Sequence, residues 1–262
     1  MFDWVGGRTS LWSVVGLLPF EFLGFDNDQL LLGASEMDEW SRDDDVNNNP
    51  ALLLALFWLQ QTKGVSENNM VVLPYSDRLS FFAKYLQQLI MESLGKEHDL
   101  EGNVVNQGIT VLGNKGSTDQ HSYVQQLRSG VNDFFAIFVS QLKSDSDLNI
   151  DLADSSKVSD HLQGFFLGTR EALYQNGRES LSIVVDQAEE YQVGALIALF
   201  ERAVSFYAYF VNINAYDQPG VEAGKKAAKK YLEYLNKTSE KLSELDDSDQ
   251  YFIKSYLEKR GN

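Results

Sequence analysis

Apolar residues recur at helical spacing over the first third of the chain in three stretches, Leu11 to Leu23, Gln29 to Trp40 and Pro50 to Gln61, separated by breaks rich in Gly, Asp and Asn. The pattern then changes. Val71-Val72-Leu73-Pro74-Tyr75 is a continuous apolar run of the kind a buried strand needs. A helical pattern follows from Leu79 to about Ser93, with Ser76 or Asp77 placed to cap it. Short apolar runs at Ile109 to Leu112, Phe134 to Val139 and Leu181 to Val185 alternate with helical stretches at Ser122 to Arg128, Ser159 to Tyr174 and Val193 to Val211. Strands alternating with helices predict a parallel sheet with helices on both faces, and ligands in such folds gather at the carboxyl ends of the strands. The last segment, about Pro219 to Leu235 and Asp249 to Glu258, reads as helical and highly charged, and no internal repeat is visible.

Composition narrows the possible chemistry. The 262 residues are 44% hydrophobic and 12% aromatic, enough to build one large domain or two small ones around a packed core. The 38 acidic against 22 basic side chains give a net charge of -16, which repels nucleic-acid phosphates, so no nucleic-acid partner is expected. An anionic small molecule would need a local basic pocket. The chain has no cysteine, which excludes disulfides, thiolate nucleophiles and cysteine-ligated zinc and fits a reducing, cytoplasmic setting. Three histidines, His98, His121 and His161, leave few options for a metal site. Apolar runs such as Ala51 to Leu59 are about half the length a bilayer requires, and the opening residues carry no basic leader, so neither a membrane span nor secretion is expected.

Five places can carry chemistry. Gln88 and Glu92 are four apart on the helix that follows the first strand, with Tyr85 one turn earlier, so their side chains share one face. A carboxylate oriented there by an amide can act as a general base, or can simply be an exposed glutamate near a helix end. The polar loop Gly113 to Gln120 delivers His121 to the start of a helix, where it can move protons near neutrality or serve as a hydrogen-bonded loop histidine. Val221, Lys225, Ala228, Leu232 and Leu235 follow one helix face, which predicts that Lys225 lies in the buried stripe while Lys226, Lys229 and Lys230 are solvated. Gly6-Gly7-Arg8 sets an arginine after two permissive glycines, so that backbone and guanidinium can approach an anion together. Asp43-Asp44-Asp45-Val46-Asn47-Asn48-Asn49 has the acidity of a calcium loop but neither its glycine turn nor its terminal glutamate, and reads as a solvated loop.

Taken in order along the chain, these pieces resemble the phosphoglucose isomerase family. Val5-Gly6-Gly7-Arg8-Thr9-Ser10-Leu11-Trp12-Ser13 is similar to its first signature, with Thr9 where an aromatic residue is common. Val72-Leu73-Pro74-Tyr75, Arg78-Leu79 and the run from Tyr85 to Lys96 are similar to its central segment, Gln120-His121-Ser122-Tyr123 to its histidine loop, and Tyr216 to Lys225 to its second signature. The resemblance implies an aldose–ketose isomerase acting on glucose 6-phosphate and fructose 6-phosphate through a cis-enediol. Glu92 would be the base that carries a proton between C1 and C2. His121 and Lys225 would assist ring opening, Arg8 would stabilise the enediolate, and Gly7, Gln88 and Gln218 would line the substrate site. No metal or nucleotide cofactor is implied. A homodimer is, because in the family the histidine comes from the neighbouring subunit. A non-catalytic sugar-phosphate-binding or interaction module is the alternative.

Family members are roughly twice as long and carry a first sugar-isomerase domain whose Ser/Thr-rich loop holds the phosphate. Here the arginine motif begins at residue 5, so the chain is expected to be a C-terminal half, whether fragment, truncated product or part of a split enzyme. The expected fold is α/β, a mainly parallel five-stranded sheet flanked by helices. Residues 1–66 would form a helical inter-domain segment and 67–262 a sugar-isomerase domain with a helical extension.

Overall fold

The computed structural model describes residues 5–143, 150–236, 242–243 and 245–260. They fall into two compact units that divide between Tyr216 and Asp217.

In the first unit the apolar runs predicted as strands are β1 (Asn69–Tyr75), β4 (Val111–Gly113), β5 (Phe134–Gln141) and β6 (Ser180–Val185). They form one parallel sheet in the order β4-β1-β5-β6, with Val72 opposite Gly113 on one side and Ile137 on the other. Among the described residues the sheet therefore has four strands, not the five expected. Two further strands, β2 (Lys96–His98) and β3 (Val104–Gln107), pair antiparallel with each other in a separate hairpin. Their residues are largely exposed or half-buried, so they lack the apolar run that marks the sheet strands.

Alternation in β1 and β5 divides the core. Met70, Val72, Phe135, Ile137 and Val139 face a large cluster built on α3 (Pro50–Thr62), α4 (Phe82–Leu94) and α7 (Glu190–Phe210). Val71, Leu73, Tyr75, Ala136 and Phe138 face Leu127 of α5 (Gln120–Ser129) and Phe166 and Leu173 of α6 (Val158–Tyr174). Both faces are covered, which is why these strands are apolar throughout rather than alternating.

The helices begin where local chemistry supplies caps. Asp26 accepts a hydrogen bond from the Gln29 amide at the start of α2 (Asn27–Trp40), and Asn49 accepts one from the Leu52 amide ahead of Pro50 in α3. Asn49 is buried, and its amide also donates to the Ser41 and Asp43 carbonyls, so the acidic loop before it is tied down through its backbone. The first predicted helix is divided at Ser13 into a 3-10 turn (Gly7–Trp12) and α1 (Val14–Phe22). Ser76 caps no helix: its hydroxyl donates to Gln141, and a 3-10 turn (Asp77–Leu79) precedes α4.

Helix α7 is 21 residues long and contains a stretch long and apolar enough to cross a bilayer, which the shorter runs noted in the sequence did not reveal. Here that apolar surface is largely buried, in a cluster shared with α2, α3 and α4. Its crossing with α2 is very close. A Cβ at Gly33 would lie 1.9 Å from the Tyr191 carbonyl oxygen, and one at Gly194 would lie 2.0 Å from that of Leu30. Each glycine thus admits the other helix's backbone.

The second unit contains α8 (Pro219–Asn236) and α9 (Asp247–Arg260). Tyr234, Leu242 and Ile253 form its small buried cluster, edged by Leu235, Leu245 and Leu257.

Gly194→Ala forces the two backbones apart and is expected to cost about 1–3 kcal/mol, read as a lower urea midpoint. Gly164→Ala, in α6 with open space around its Cβ, is expected to raise stability by about 0.5–1 kcal/mol instead.

Candidate active site around Arg8 and Glu92

The 3-10 turn Gly7–Trp12 turns Arg8 inward until only 8% of it is exposed. Burying a guanidinium is tolerable only where its donors are met. Arg8 Nη1 donates to Ser93 Oγ at 2.7 Å and to the Ala215 carbonyl at 2.6 Å, while Nε lies 3.6 Å from Glu92 Oε1. The other carboxylate oxygen of Glu92 accepts from Gln88 Nε2 at 3.2 Å, across one turn of α4. Glu92 is 21% exposed and Gln88 is exposed, so the carboxylate is oriented from two sides yet reachable from outside.

Gly7 borders the same space. A Cβ there would meet only Gln88 Nε2, at 3.9 Å. Gly6 has φ -74° and ψ 157°, extended backbone open to any residue. The value of a glycine at position 7 is thus free space beside Gln88 rather than an unusual dihedral, a correction to the permissive-backbone expectation. From below, Lys96 is buried and its Nζ donates to the Glu92 and Ser93 carbonyls at 3.0 and 2.8 Å. It places a positive charge at the carboxyl end of the α4 dipole and holds the turn that carries the carboxylate.

The fold brings together Gly7, Arg8, Gln88 and Glu92. His121 it places elsewhere. Because β1 and β4 are parallel neighbours, α4 between them runs back along the sheet, and its last turn with Glu92 lies at the amino-terminal end of the strands. His121, exposed on the first turn of α5, follows the carboxyl end of β4. The length of α4, about 20 Å for 13 residues, separates the two ends. The Arg8–Glu92 site is thus at the opposite end of the sheet from where ligands of such folds usually gather, because it is built on a crossover helix rather than on strand termini.

The loop that delivers His121 is well anchored. The Gly116 amide donates to the Pro74 carbonyl, and a Cβ on Gly116 would lie 2.5 Å from the Tyr75 ring. Lys115 pairs with Asp77, and Gln120 Nε2 donates to Tyr75 Oη at 3.0 Å and to Thr169 Oγ1 at 2.6 Å.

Gln218 and Lys225 belong to the second unit. The Gln218 carbonyl accepts from the Val221 amide at the start of α8. Lys225 corrects the periodicity argument: its side chain is 64% exposed and its Nζ donates to Glu222 at 2.7 Å. Val221 and Leu232 on the same stripe are also exposed, since the buried cluster of α8 and α9 begins only at Tyr234.

Ser93, Lys96 and the Ala215 carbonyl escaped the sequence reading. A carbonyl has no sequence signature, and Ser93 and Lys96 stood out only as members of the run from Tyr85 to Lys96. Glu201 had a visible signal, an acid inside the apolar stretch Val193 to Val211. Among the described residues no group of three or more His, Asp or Glu is arranged to hold a metal. Concavities of about 470 Å³ beside Phe25, Leu30 and Arg78 and about 620 Å³ beside Phe206 and Tyr209 contain none of these candidates.

The sequence profile described as phosphoglucose isomerase matches residues 1–175 and 168–253. The chain is 57% identical over 244 residues to a glucose-6-phosphate isomerase of Geotalea daltonii, covering 93% of this chain and 46% of that protein. It is 54% identical over 250 residues to the chloroplastic glucose-6-phosphate isomerase 1 of Arabidopsis thaliana, covering 95% and 41%. Among solved structures, a glucose-6-phosphate isomerase from Chlamydia trachomatis superimposes with a TM-score of 0.79 at 27% identity, over 92% of this chain and 49% of that one. The chain thus spans about half the length of the curated relatives it matches.

Replacing Lys96 by Met keeps the buried stem and removes two charge-assisted hydrogen bonds from the end of α4. The expected loss is about 2–3 kcal/mol in urea unfolding, with helix content otherwise retained by circular dichroism.

Proposed function

This chain belongs to the phosphoglucose isomerase family, and on that premise we propose that it forms the C-terminal part of an active site interconverting glucose 6-phosphate and fructose 6-phosphate. The observation that supports this most directly is the buried Arg8 beside the doubly oriented Glu92 carboxylate. An aldose–ketose interconversion needs one base that reaches two adjacent carbons and a cation beside the oxygens on which charge develops. Glu92 removes the proton from C2 of the open-chain aldose and returns it to C1. Arg8 stabilises the cis-enediolate between the two steps. Gln88 holds the carboxylate in one rotamer, which limits the reorganisation needed at the moment of transfer.

Ring opening is assigned to His121 and Lys225, and Gln218 lines the substrate site. The family resemblance gives His121 to a neighbouring copy's site, which makes the working unit a homodimer; its place at the opposite end of the sheet from Glu92 supports that reading. Binding energy from the substrate phosphate comes from the part of the relatives' length that this chain does not span.

The test is a coupled assay with fructose 6-phosphate on the purified chain, alone and together with a separately expressed N-terminal half of the Geotalea relative. Turnover is expected in at least one of these settings, and Glu92→Gln is expected to lower kcat by about 10²–10⁴-fold. Equal rates for wild type and Glu92→Gln would refute the assignment and leave a sugar-phosphate-binding module.

A further inference from the structure

We propose that Glu201 is a positioning residue of this site, fixing the Arg8–Glu92 pair by tying the turn that carries Arg8 to the helix that carries Glu92. Its effect on turnover rests on the isomerase reading above; the positioning itself does not.

Glu201 lies in the middle of α7, a helix otherwise spent on the core. Both of its carboxylate oxygens accept from Trp12 Nε1 at 2.9 Å, and Oε1 also accepts from Tyr85 Oη at 3.3 Å. Trp12 closes the same 3-10 turn that begins at Gly7 and contains Arg8. Tyr85, Gln88 and Glu92 are spaced three and four apart, one face of α4. The turn and the helix therefore meet twice, directly where Arg8 approaches Glu92 and through the Glu201 carboxylate one turn or more away. Ties separated along α4 fix orientation as well as distance, which the Arg8 contacts with Glu92 and Ser93 at its last turn do not do alone.

Keeping the carboxylate there has a cost. Burial pushes the Glu201 carboxyl above its ordinary value, and the Trp12 and Tyr85 donors and the nearby Arg202 charge pull it back. Burial and the adjacent carboxylate push the Tyr85 hydroxyl far up, so it remains a neutral donor. Arg202 does not neutralise Glu201 by contact; it is engaged with Asp38 of α2. An apolar residue of similar size would fill this junction without the desolvation penalty but would set no angle between the turn and α4. Tyr85 also stacks on Phe82, which itself packs on Phe200 of α7, so the donor is held in place for the acceptor.

The experiment compares the full chain with Glu201→Gln, Trp12→Phe and Glu92→Gln. Solvent exchange of the Arg8 Nε–H, followed by ¹⁵N NMR, is expected to quicken about tenfold in Glu201→Gln, and equally in Glu92→Gln, which breaks the pair from the other side. In the fructose 6-phosphate assay Glu201→Gln is expected to lower kcat roughly 10- to 100-fold while KM changes less than about twofold. A folded Glu201→Gln with wild-type Arg8 exchange overturns the positioning role, whatever the turnover. Faster exchange together with no difference in turnover between wild type and Glu92→Gln sinks the isomerase reading and leaves the positioning intact. If Glu201→Gln does not fold, Trp12→Phe, which removes one donor and keeps the carboxylate, decides by the same exchange criterion.

Discussion

A guanidinium withdrawn from water is the constraint around which this structure is arranged. Arg8 cannot lose its charge, so its burial requires acceptors delivered from distant parts of the chain. Ser93 and Glu92 come from the end of α4 and the Ala215 carbonyl from the segment after α7. Each acceptor is useful only if its element arrives in register, so one residue near the start of the chain reports on the packing of three others. The Glu92 carboxylate inherits its orientation from this requirement.

Helix α7 supplies the rigid reference. It packs so closely on α2 that glycines replace side chains at the crossing, and it shares a cluster with α3, α4 and one face of the sheet. An acid at Glu201 in such a helix would be hard to justify by stability alone. It becomes intelligible as a fixed acceptor aimed at the two elements that present Arg8 and Glu92. Core packing and site geometry are here one arrangement seen from two sides.

Topology also dictates what one chain cannot assemble alone. A crossover helix between parallel strands must run back, so a residue in its last turn and a residue just past the next strand's carboxyl end lie at opposite ends of the sheet. Glu92 and His121 are such a pair. One chain therefore does not gather the two at a single point of the sheet.

Much of this was legible in the amino-acid sequence. Apolar runs at Val71 to Tyr75 and Phe134 to Val139, and helical periodicity at Pro50 to Gln61 and Ser159 to Tyr174, depend on each residue's own preference and its near neighbours, and they became β1, β5, α3 and α6. The signatures around Arg8, Glu92, His121 and Lys225 likewise pointed to the family before any coordinates. Tertiary structure alone decided that Arg8 is inside and Lys225 outside, that the sheet has four strands, and that Lys96 and Glu201 support the site from beneath. Periodicity assigns a residue to a face of its helix, but whether that face is covered, and whether a buried charge meets its acceptors, depends on distant segments, 85 residues away for Ser93 and 207 for Ala215 in the case of Arg8.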